Sequence, residues 1–201
     1  NKSFIIKIIL LCLVTIKVSA IEKVILFGDS LMAGYGLPNE QHLSVVLQNS
    51  LENEGYNIEI VNGSVSGSTS SGGLNIAEWT LSESNIDLMI LCLGANDMLR
   101  GINPKETKNN LEEIIKIAKN KNIKVIIAGM IAPTSYGSNY KKSFDKIFYD
   151  LSKKYKLQLI PFLLEGVAQK PEFNLSDGMH PNDQGTIIIG NTLKNAILEN
   201  L

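Results

Sequence analysis

Short apolar segments alternate along the chain with longer stretches of mixed polarity. Five short apolar runs lie at residues 24–27, 58–61, 88–93, 125–128 and 157–160, of which the second and the fifth each contain one polar residue, Glu59 and Gln158. Runs of this length and composition are typical of strands that are buried on both faces, as in a parallel sheet. The stretches between them carry apolar residues three and four positions apart, which indicates helices. The alternation predicts an α/β fold built around a parallel sheet of about five strands.

The helical spacing is clearest over residues 43–51, 111–118 and 144–151. The segment 181–201 is also amphipathic, and Pro181 stands at its predicted first helical position, where proline is well tolerated. The pattern contains no internal repeat and no flexible linker. We therefore expect one domain over residues 21–201.

Composition agrees with one compact domain, because 44% of the 201 residues are hydrophobic and 19% are charged. Residues 1–20 differ from the rest. Lys2 and Lys7 precede or interrupt an apolar stretch, and Val18-Ser19-Ala20 supplies small residues at alternate positions, which predicts a cleaved secretory signal peptide. An uncleaved anchor is the alternative, although the apolar run falls short of the roughly 20 residues that span a bilayer. We therefore expect an exported bacterial protein, periplasmic or secreted.

Charge and cysteine content narrow the function classes further. The full chain has a formal net charge of −1, and removal of residues 1–20 takes away three lysines and no acid, so the remaining domain is mildly acidic. It carries no basic stripe with interleaved aromatic residues, which argues against a nucleic-acid partner. Cys92 would then be the single cysteine, and its apolar neighbours predict a small buried side chain with no disulfide. We expect a monomer without stable membrane insertion.

A serine hydroxyl follows the first predicted strand in the sequence Gly28-Asp29-Ser30-Leu31. Ligands of open α/β sheets bind beyond the carboxyl ends of the strands, so Ser30 is placed to face a site. Glycine, aspartate and serine are also ordinary turn residues, and these four positions alone favour a plain turn.

A serine nucleophile needs a base, and the chain offers two histidines. Asp177 precedes His180 by three positions across Gly178, so its carboxylate can accept a hydrogen bond from one ring nitrogen and leave the other free. We expect Pro181 to hold His180 just before the last helix, whose dipole disfavours the imidazolium and so opposes Asp177. His42 has no such carboxylate partner, and we expect it on the solvated surface.

Two later strand ends offer donors for a developing oxyanion, the backbone N–H of Gly67 and the carboxamide of Asn96. We interpret Asp97 as a hydrogen-bonding scaffold and not as a second catalytic acid. The sequence lacks three other motifs that follow strands in α/β enzymes. No lysine follows Gly67 as a phosphate-binding P-loop requires, and no G-x-G-x-x-G motif follows the first strand. Val65, not serine, is central in residues 63–67, so the nucleophile elbow of α/β-hydrolases is missing.

Four ordered blocks resemble those of the SGNH, or GDSL, hydrolases: residues 28–31, 62–67, 94–97 and the Asp177-x-x-His180-Pro181 segment. Residues 94–101, 131–140 and 161–167 are similar to the exported multifunctional acyl-CoA thioesterase, lysophospholipase and arylesterase branch. The resemblance implies a three-layer α/β/α sandwich of flavodoxin-like type, with Ser30 as nucleophile, His180 as general base and acid, and Asp177 orienting His180. It implies an oxyanion hole made by the N–H groups of Ser30 and Gly67 and the side chain of Asn96. Ala95 and Thr134 depart from the pattern of that branch.

The sequence thus predicts hydrolysis of carboxylic ester or thioester bonds through an acyl-enzyme on Ser30, without metal or organic cofactor. The expected partner is a small-molecule lysophospholipid, fatty acyl thioester or aryl ester. The alternatives are a carbohydrate O-acetylesterase on the same fold and a catalytically silent secreted binding module. Candidate acyl-chain contacts are Leu31, Met98, Leu99, Pro133, Tyr136 and Tyr140.

Overall fold

A computed structural model describes residues 21–201, and the predicted signal peptide lies outside the described residues. Five parallel strands form one sheet in the order β2-β1-β3-β4-β5. All five predicted strands are confirmed to within about two residues, which is the usual scatter of element boundaries. The strands are β1 (Lys23–Gly28), β2 (Glu59–Asn62), β3 (Leu88–Cys92), β4 (Lys124–Ala128) and β5 (Gln158–Ile160).

Helices cover both faces of this sheet. Helix α2 packs on α7, while α5 packs between α3 and α6. The result is the predicted three-layer α/β/α sandwich, and its strand order is that of flavodoxin-like sheets. The helices are α1 (Ser30–Ala33), α2 (Leu43–Asn53), α3 (Ser70–Thr80), α4 (Ala95–Leu99), α5 (Pro104–Asn120), α6 (Ser138–Tyr155) and α7 (Asp183–Leu198).

Burial explains why β1 and β3 contain continuous apolar runs. Every residue of the central strand β3 is buried, and so are the last five residues of β1. Strand β2 forms one edge of the sheet and is only partly buried. None of the helices within residues 21–201 combines the length and the hydropathy needed to cross a membrane.

The last helix begins two residues later than predicted. Pro181 pairs with Asn174 in an isolated antiparallel bridge, so it is not the first helical residue. Asn182 caps α7 instead, and its Oδ1 accepts a hydrogen bond from the Gly185 N–H at 3.0 Å. A side-chain acceptor at the cap satisfies one of the unpaired N–H groups of the first turn, which proline cannot do. His180 therefore lies in a separate loop and not directly against the helix end.

The strand order reverses at β1, which lies between β2 and β3. The chain leaves β1 toward one side of the sheet and later returns on the other, and such a switch point opens a crevice at the carboxyl ends of the strands. The loops that follow β1, β2 and β3 meet there. These loops carry the three residues that the sequence predicts for the oxyanion hole.

Candidate active site

Ser30 is the first residue of the short helix α1, directly beyond β1. The preceding Gly28 lies so close to its neighbours that a Cβ there would stand 2.6 Å from the Cys92 carbonyl oxygen, so only glycine fits. Asp29 caps α1, and its Oδ1 accepts the Leu31 N–H at 3.1 Å. The Met32 and Ala33 N–H groups donate to the Asp29 carbonyl at 3.2 and 2.9 Å, so Asp29 satisfies the rest of the first turn. Ser30, the predicted nucleophile, is thus held at the start of a short capped helix.

His180 contacts Ser30 across 150 residues of sequence. Its Nε2 lies 2.9 Å from the Ser30 Oγ, and its Nδ1 lies 2.6 Å from Oδ2 of Asp177. An ionised carboxylate can only accept, so Nδ1 carries the ring proton and Nε2 is free to accept the serine proton. The structure brings together the three side chains that the sequence nominates as a triad.

The loop that carries Asp177 and His180 is closed on itself. The Leu175 N–H donates to the His180 carbonyl at 2.7 Å, and the Gly178 N–H donates to the Leu175 carbonyl at 2.9 Å. Asp177 Oδ1 accepts the backbone N–H groups of Met179 and His180 at 2.9 and 3.0 Å. These bonds fix the carboxylate and the ring in one local unit.

The electrostatics of the loop keep Asp177 ionised. The backbone N–H groups of His180 and Met179, aided by the His180 ring, lower the pKa of Asp177 to about 2. Hydrogen bonds to the charged form of a carboxyl stabilise that form. Asp177 is therefore an anion throughout the range in which a histidine base works, and it can stabilise the imidazolium that proton transfer creates.

The face of the imidazole is covered by an aromatic ring. The ring centroids of Tyr35 and His180 lie 4.4 Å apart, with the planes tilted by 38°. This contact helps to fix the orientation of the imidazole ring. Tyr35 follows Ser30 by five positions and was not singled out from the sequence.

The predicted oxyanion donors lie at the same site. Gly67 and Asn96 line one cavity together with Ser30 and His180. Gly67 has φ +77°, a backbone conformation that L side chains rarely adopt, and its carbonyl accepts Arg100 Nη2 at 3.0 Å. Asn96 belongs to the first turn of α4, where Ala95 adopts helical geometry without difficulty. The positions of all three residues are compatible with an oxyanion hole.

Asp97 is a scaffold residue, as its sequence context predicts. It is fully buried, and its carboxylate accepts the Ser70 N–H at 2.7 Å and the hydroxyl of Thr107 at 3.0 Å. It also accepts the Ser70 hydroxyl. These bonds connect the start of α3 to α4 and α5, and so hold the loop of Gly67 beside Asn96.

The cavity beside Ser30 has a volume of about 600 Å³ and a largely apolar lining. Leu31, Met98, Leu99 and Pro133 line it, as the sequence analysis expects of acyl-chain contacts. Tyr136 and Tyr140 do not belong to its lining, which corrects that part of the expectation. Their rings stack on one another, and Tyr140 packs on Phe144 and donates its hydroxyl to the Ile102 carbonyl at 2.9 Å. Both tyrosines serve the packing of α6.

Sequence reasoning missed much of the cavity wall. Tyr35 and Ser66 line it from the loops after β1 and β2, and the other additional lining residues come from the loops after β4 and β5 and from the His180 loop: Met130, Ile131, Phe162, Leu164, Ala168, Gln169, Asn174, Gly178 and Met179. The predicted parallel sheet could have indicated this wall, because the carboxyl ends of β4 and β5 lie at the same edge of the sheet as that of β1. A residue-by-residue search for chemistry overlooks such apolar walls.

The remaining candidates lie away from this site. His42 is half-buried and not on the solvated surface as predicted, because its ring packs against Gly34 and its Nε2 lies 3.0 Å from the Leu37 carbonyl oxygen. Cys92 is fully buried, as expected, and burial raises the pKa of its thiol. Over residues 21–201 no group of three or more histidine, cysteine or acidic residues is arranged to hold a metal ion.

Comparison with known proteins finds relatives that are named as esterases and thioesterases. The chain is 38% identical over 165 residues to an arylesterase of Vibrio mimicus, covering 82% of each chain. It is 32% identical over 172 residues to the thioesterase 1/protease 1/lysophospholipase L1 of Escherichia coli K12, covering 86% of this chain and 81% of that one. The crystal structure of TesA superimposes with a TM-score of 0.84 at 32% identity, covering 90% of this chain and all of that one.

A sequence model of the GDSL-like lipase/acylhydrolase family matches residues 26–186, which is most of the described domain. That span contains Ser30, Gly67, Asn96, Asp177 and His180. The chain is therefore an ester-hydrolysing enzyme that belongs to the GDSL-like lipase/acylhydrolase family.

Proposed function

We propose that Ser30, His180 and Asp177 form the catalytic triad with which this protein hydrolyses carboxylic esters and thioesters. The observation that carries the proposal is the continuous contact from Ser30 Oγ to His180 Nε2 and from His180 Nδ1 to Asp177 Oδ2, at 2.9 and 2.6 Å. Both distances lie in the range in which a base activates a hydroxyl nucleophile and a carboxylate orients that base.

In the first half of the reaction the Ser30 Oγ attacks the acyl carbon while its proton moves to His180 Nε2. The carbonyl π electrons move onto the oxygen, which is stabilised by the N–H groups of Ser30 and Gly67 and the carboxamide of Asn96. Collapse of this intermediate reforms the carbonyl and breaks the bond to the leaving group. His180 returns the proton to the departing alkoxide or thiolate, and an acyl-enzyme ester remains on Ser30.

In the second half a water molecule takes the place of the leaving group. His180 Nε2 removes a proton from this water as its oxygen attacks the acyl carbon, and the same oxyanion donors stabilise the second intermediate. Collapse expels the Ser30 oxygen, which recovers its proton from His180. The acid product leaves, and the enzyme returns to its starting state with no cofactor consumed.

The cavity favours an acyl group with an apolar chain. Met98, Leu99, Ile131 and Phe162 contribute apolar side chains to its lining. Apolar lining of this kind gains free energy by removing hydrocarbon from water, at about 25 cal/mol per Å². Relatives named arylesterase and thioesterase/lysophospholipase support the same substrate classes, and we propose aryl esters, fatty acyl thioesters and lysophospholipids.

We propose further that residues 1–20 are a cleaved signal peptide, and that the domain acts outside the cytoplasm, in the periplasm or after secretion, as a monomer. The lysines and the short apolar stretch of that segment support export. A phospholipid-type substrate suits such a location.

Covalent labelling tests the triad directly. A fluorophosphonate probe is added to folded protein, and peptide mass spectrometry identifies the modified residue. We expect stoichiometric labelling of Ser30 in the wild type and none in Ser30→Ala. Absence of label on Ser30 in the folded wild type would overturn the proposal and would favour a silent binding module.

A substrate panel then separates the acyl classes. Aryl esters, acyl-CoAs and lysophospholipids of graded chain length are compared with acetylated sugars under the same conditions. We expect higher kcat/KM for medium and long acyl chains than for acetylated sugars. The reverse order would identify the protein as a carbohydrate O-acetylesterase with the same triad.

A further inference from the structure

The carboxamide of Asn96 uses both of its amide hydrogens inside the protein. Asn96 Nδ2 donates to Oδ2 of Asp29 at 3.2 Å and to the carbonyl oxygen of Ser68 at 3.1 Å. An asparagine NH₂ group has only two hydrogens to give. If Asn96 is to stabilise a substrate oxyanion, one of these two bonds must be given up during the reaction.

Asp29 and Asp97 are the two acids that are buried within the described residues. Only 1% of the Asp29 surface is exposed, and each of its carboxylate oxygens has a different donor. Oδ1 accepts the Leu31 N–H at 3.1 Å and Oδ2 accepts Asn96. A carboxylate can accept both of these bonds, whereas a neutral amide at the same position has only one oxygen.

The two bonds of Asn96 differ in strength. The bond to Asp29 is charge-assisted when that carboxyl is ionised, and such bonds are roughly twice as strong as neutral ones. The bond to Ser68 joins an amide to a neutral backbone carbonyl. The weaker bond is the one that yields, so the hydrogen now on Ser68 becomes available to the substrate while Asp29 retains the other.

We propose that Asp29 is a positioning residue that anchors the Asn96 carboxamide by one amide hydrogen and so directs the other hydrogen to the substrate oxyanion. Asp29 touches neither the substrate nor the triad side chains in this arrangement. It acts through Asn96. The inference rests on the proposed function, because it assigns a partner to one of the proposed oxyanion donors.

The charge of Asp29 depends on its surroundings. Burial raises the pKa of Asp29 to about 6, while the hydrogen bonds from Leu31 and Asn96 oppose that rise. The charges that face it are those of His180, which favours the carboxylate, and Asp97, which disfavours it. The negative charge of Asp29 also raises the pKa of the nearby Cys92 thiol. The anchor is therefore at full strength only above about pH 6.

A double-mutant cycle separates this role from a general structural one. Asp29→Asn keeps the size of the side chain and a good helix cap, but it leaves one oxygen for two donors. Asp29→Asn is made in the wild type and in Asn96→Ala, and p-nitrophenyl acetate hydrolysis is measured at pH 8. Loss of one oxyanion donor costs about 100- to 1,000-fold in kcat, and a misplaced donor should cost part of this.

We expect Asp29→Asn to lower kcat by about 10- to 100-fold in the wild type, with little change in KM, and by less than about twofold in Asn96→Ala. Equal losses in the two backgrounds would overturn the proposal, because Asp29 would then act independently of Asn96. Asp150→Asn on α6 removes a carboxylate that does not line the cavity and serves as the matched control.

A second measurement does not depend on turnover. The side-chain ¹H and ¹⁵N resonances of Asn96 are followed from pH 4.5 to 8 in the wild type and in Asp29→Asn. We expect a transition near pH 6 that is absent in the variant, and an Asn96 side chain that ignores this pH range would contradict the anchor. If the wild type hydrolyses no ester at all, the proposed function fails, and the resonances still decide the Asp29–Asn96 contact.

Discussion

The Asp177 carboxylate holds His180 twice, once by the ring and once by the backbone. Oδ2 lies 2.6 Å from His180 Nδ1, and Oδ1 accepts the His180 N–H at 3.0 Å. One side chain thus fixes the position and tautomer of the His180 ring and the shape of its loop. Removal of the charge and removal of the side chain are therefore different experiments.

Asp177→Asn is the sharper of the two changes. The amide retains one oxygen for the backbone N–H groups, but its NH₂ group or its single oxygen must now face Nδ1 without a negative charge. We expect kcat to fall by about 10³- to 10⁴-fold, as when a triad aspartate becomes asparagine elsewhere. Steady-state hydrolysis of an aryl ester measures the loss, and circular dichroism confirms the fold. A loss below tenfold would show that the base is oriented by other groups.

The two histidines provide a matched pair for testing the base. His180→Ala removes the acceptor of the serine proton, so we expect at least about 1,000-fold lower kcat. His42→Ala should leave kcat unchanged and lower the free energy of unfolding by about 1–3 kcal/mol, because a half-buried ring and its bond to the Leu37 carbonyl are lost. Aryl ester kinetics and urea denaturation measure both variants. Similar kinetic losses in both would refute the assignment of the base.

The sequence spacing of Asp177 and His180 was enough to predict that His180, and not His42, has a carboxylate partner. The environment of His42 could not be predicted from spacing. Asp177 and His180 are three residues apart, and local hydrogen bonding constrains them in any fold. The packing of His42 depends on Gly34, which has φ +84° and leaves room for the ring. Such a contact is set by the backbone path of two separate turns, which hydrophobic periodicity does not encode.

The strands were predictable for a related reason. Full burial on both faces forces a continuous apolar run, so β1 and β3 are visible in the sequence. Helix α3 lacks that mark, because its first turn is Ser70-Ser71-Gly72-Gly73 and its single tryptophan, Trp79, is 83% exposed. Gly73 lies where a Cβ would meet Leu93 Cδ1 at 2.3 Å, so close packing and not helix propensity determines this sequence. The prediction that Tyr136 and Tyr140 line the cavity was wrong, because aromatic residues close to a site in sequence can serve helix packing instead.

The buried charge of Asp29 should make stability depend on pH. The pKa of Asp29 is raised to about 6 in the folded state, so the folded protein binds a proton more tightly than the unfolded chain. Its contribution to stability is thus fully present below about pH 4 and is lost as the pH rises to about 6, by about 3 kcal/mol. Asp29→Asn does not titrate in this range. We expect its free energy of unfolding, relative to the wild type, to increase between pH 4 and 6 and then level off.

Urea denaturation at closely spaced pH values measures this difference, and other titrating groups cancel between the two proteins. A difference that is constant from pH 4 to 7.5 would show that Asp29 has an ordinary pKa. If Asp29→Asn has a higher free energy of unfolding than the wild type and also the expected lower kcat, the charge of Asp29 destabilises the fold but is needed for catalysis.

The scaffold at Asp97 gives a prediction about folding and not about chemistry. Asp97→Ala leaves the Ser70 N–H and the hydroxyls of Ser70 and Thr107 without their acceptor in a fully buried place. Buried donors without a partner cost about 1–3 kcal/mol each, so we expect the free energy of unfolding to fall by at least about 3 kcal/mol. Urea denaturation measures the loss. Thr107→Val, which removes one donor and its bond together, should cost much less, and equal costs would contradict the shared-acceptor arrangement.

The contact between Ser30 and His180 also has a consequence in time. The two residues are 150 positions apart, so a ribosome adds Ser30 long before it adds the histidine proposed as its base. Until residue 180 has been synthesised and the 174–181 loop has closed, Ser30 is an ordinary alcohol with nothing to take its proton. If the proposed triad is correct, hydrolysis by Ser30 begins only once this last part of the domain has folded.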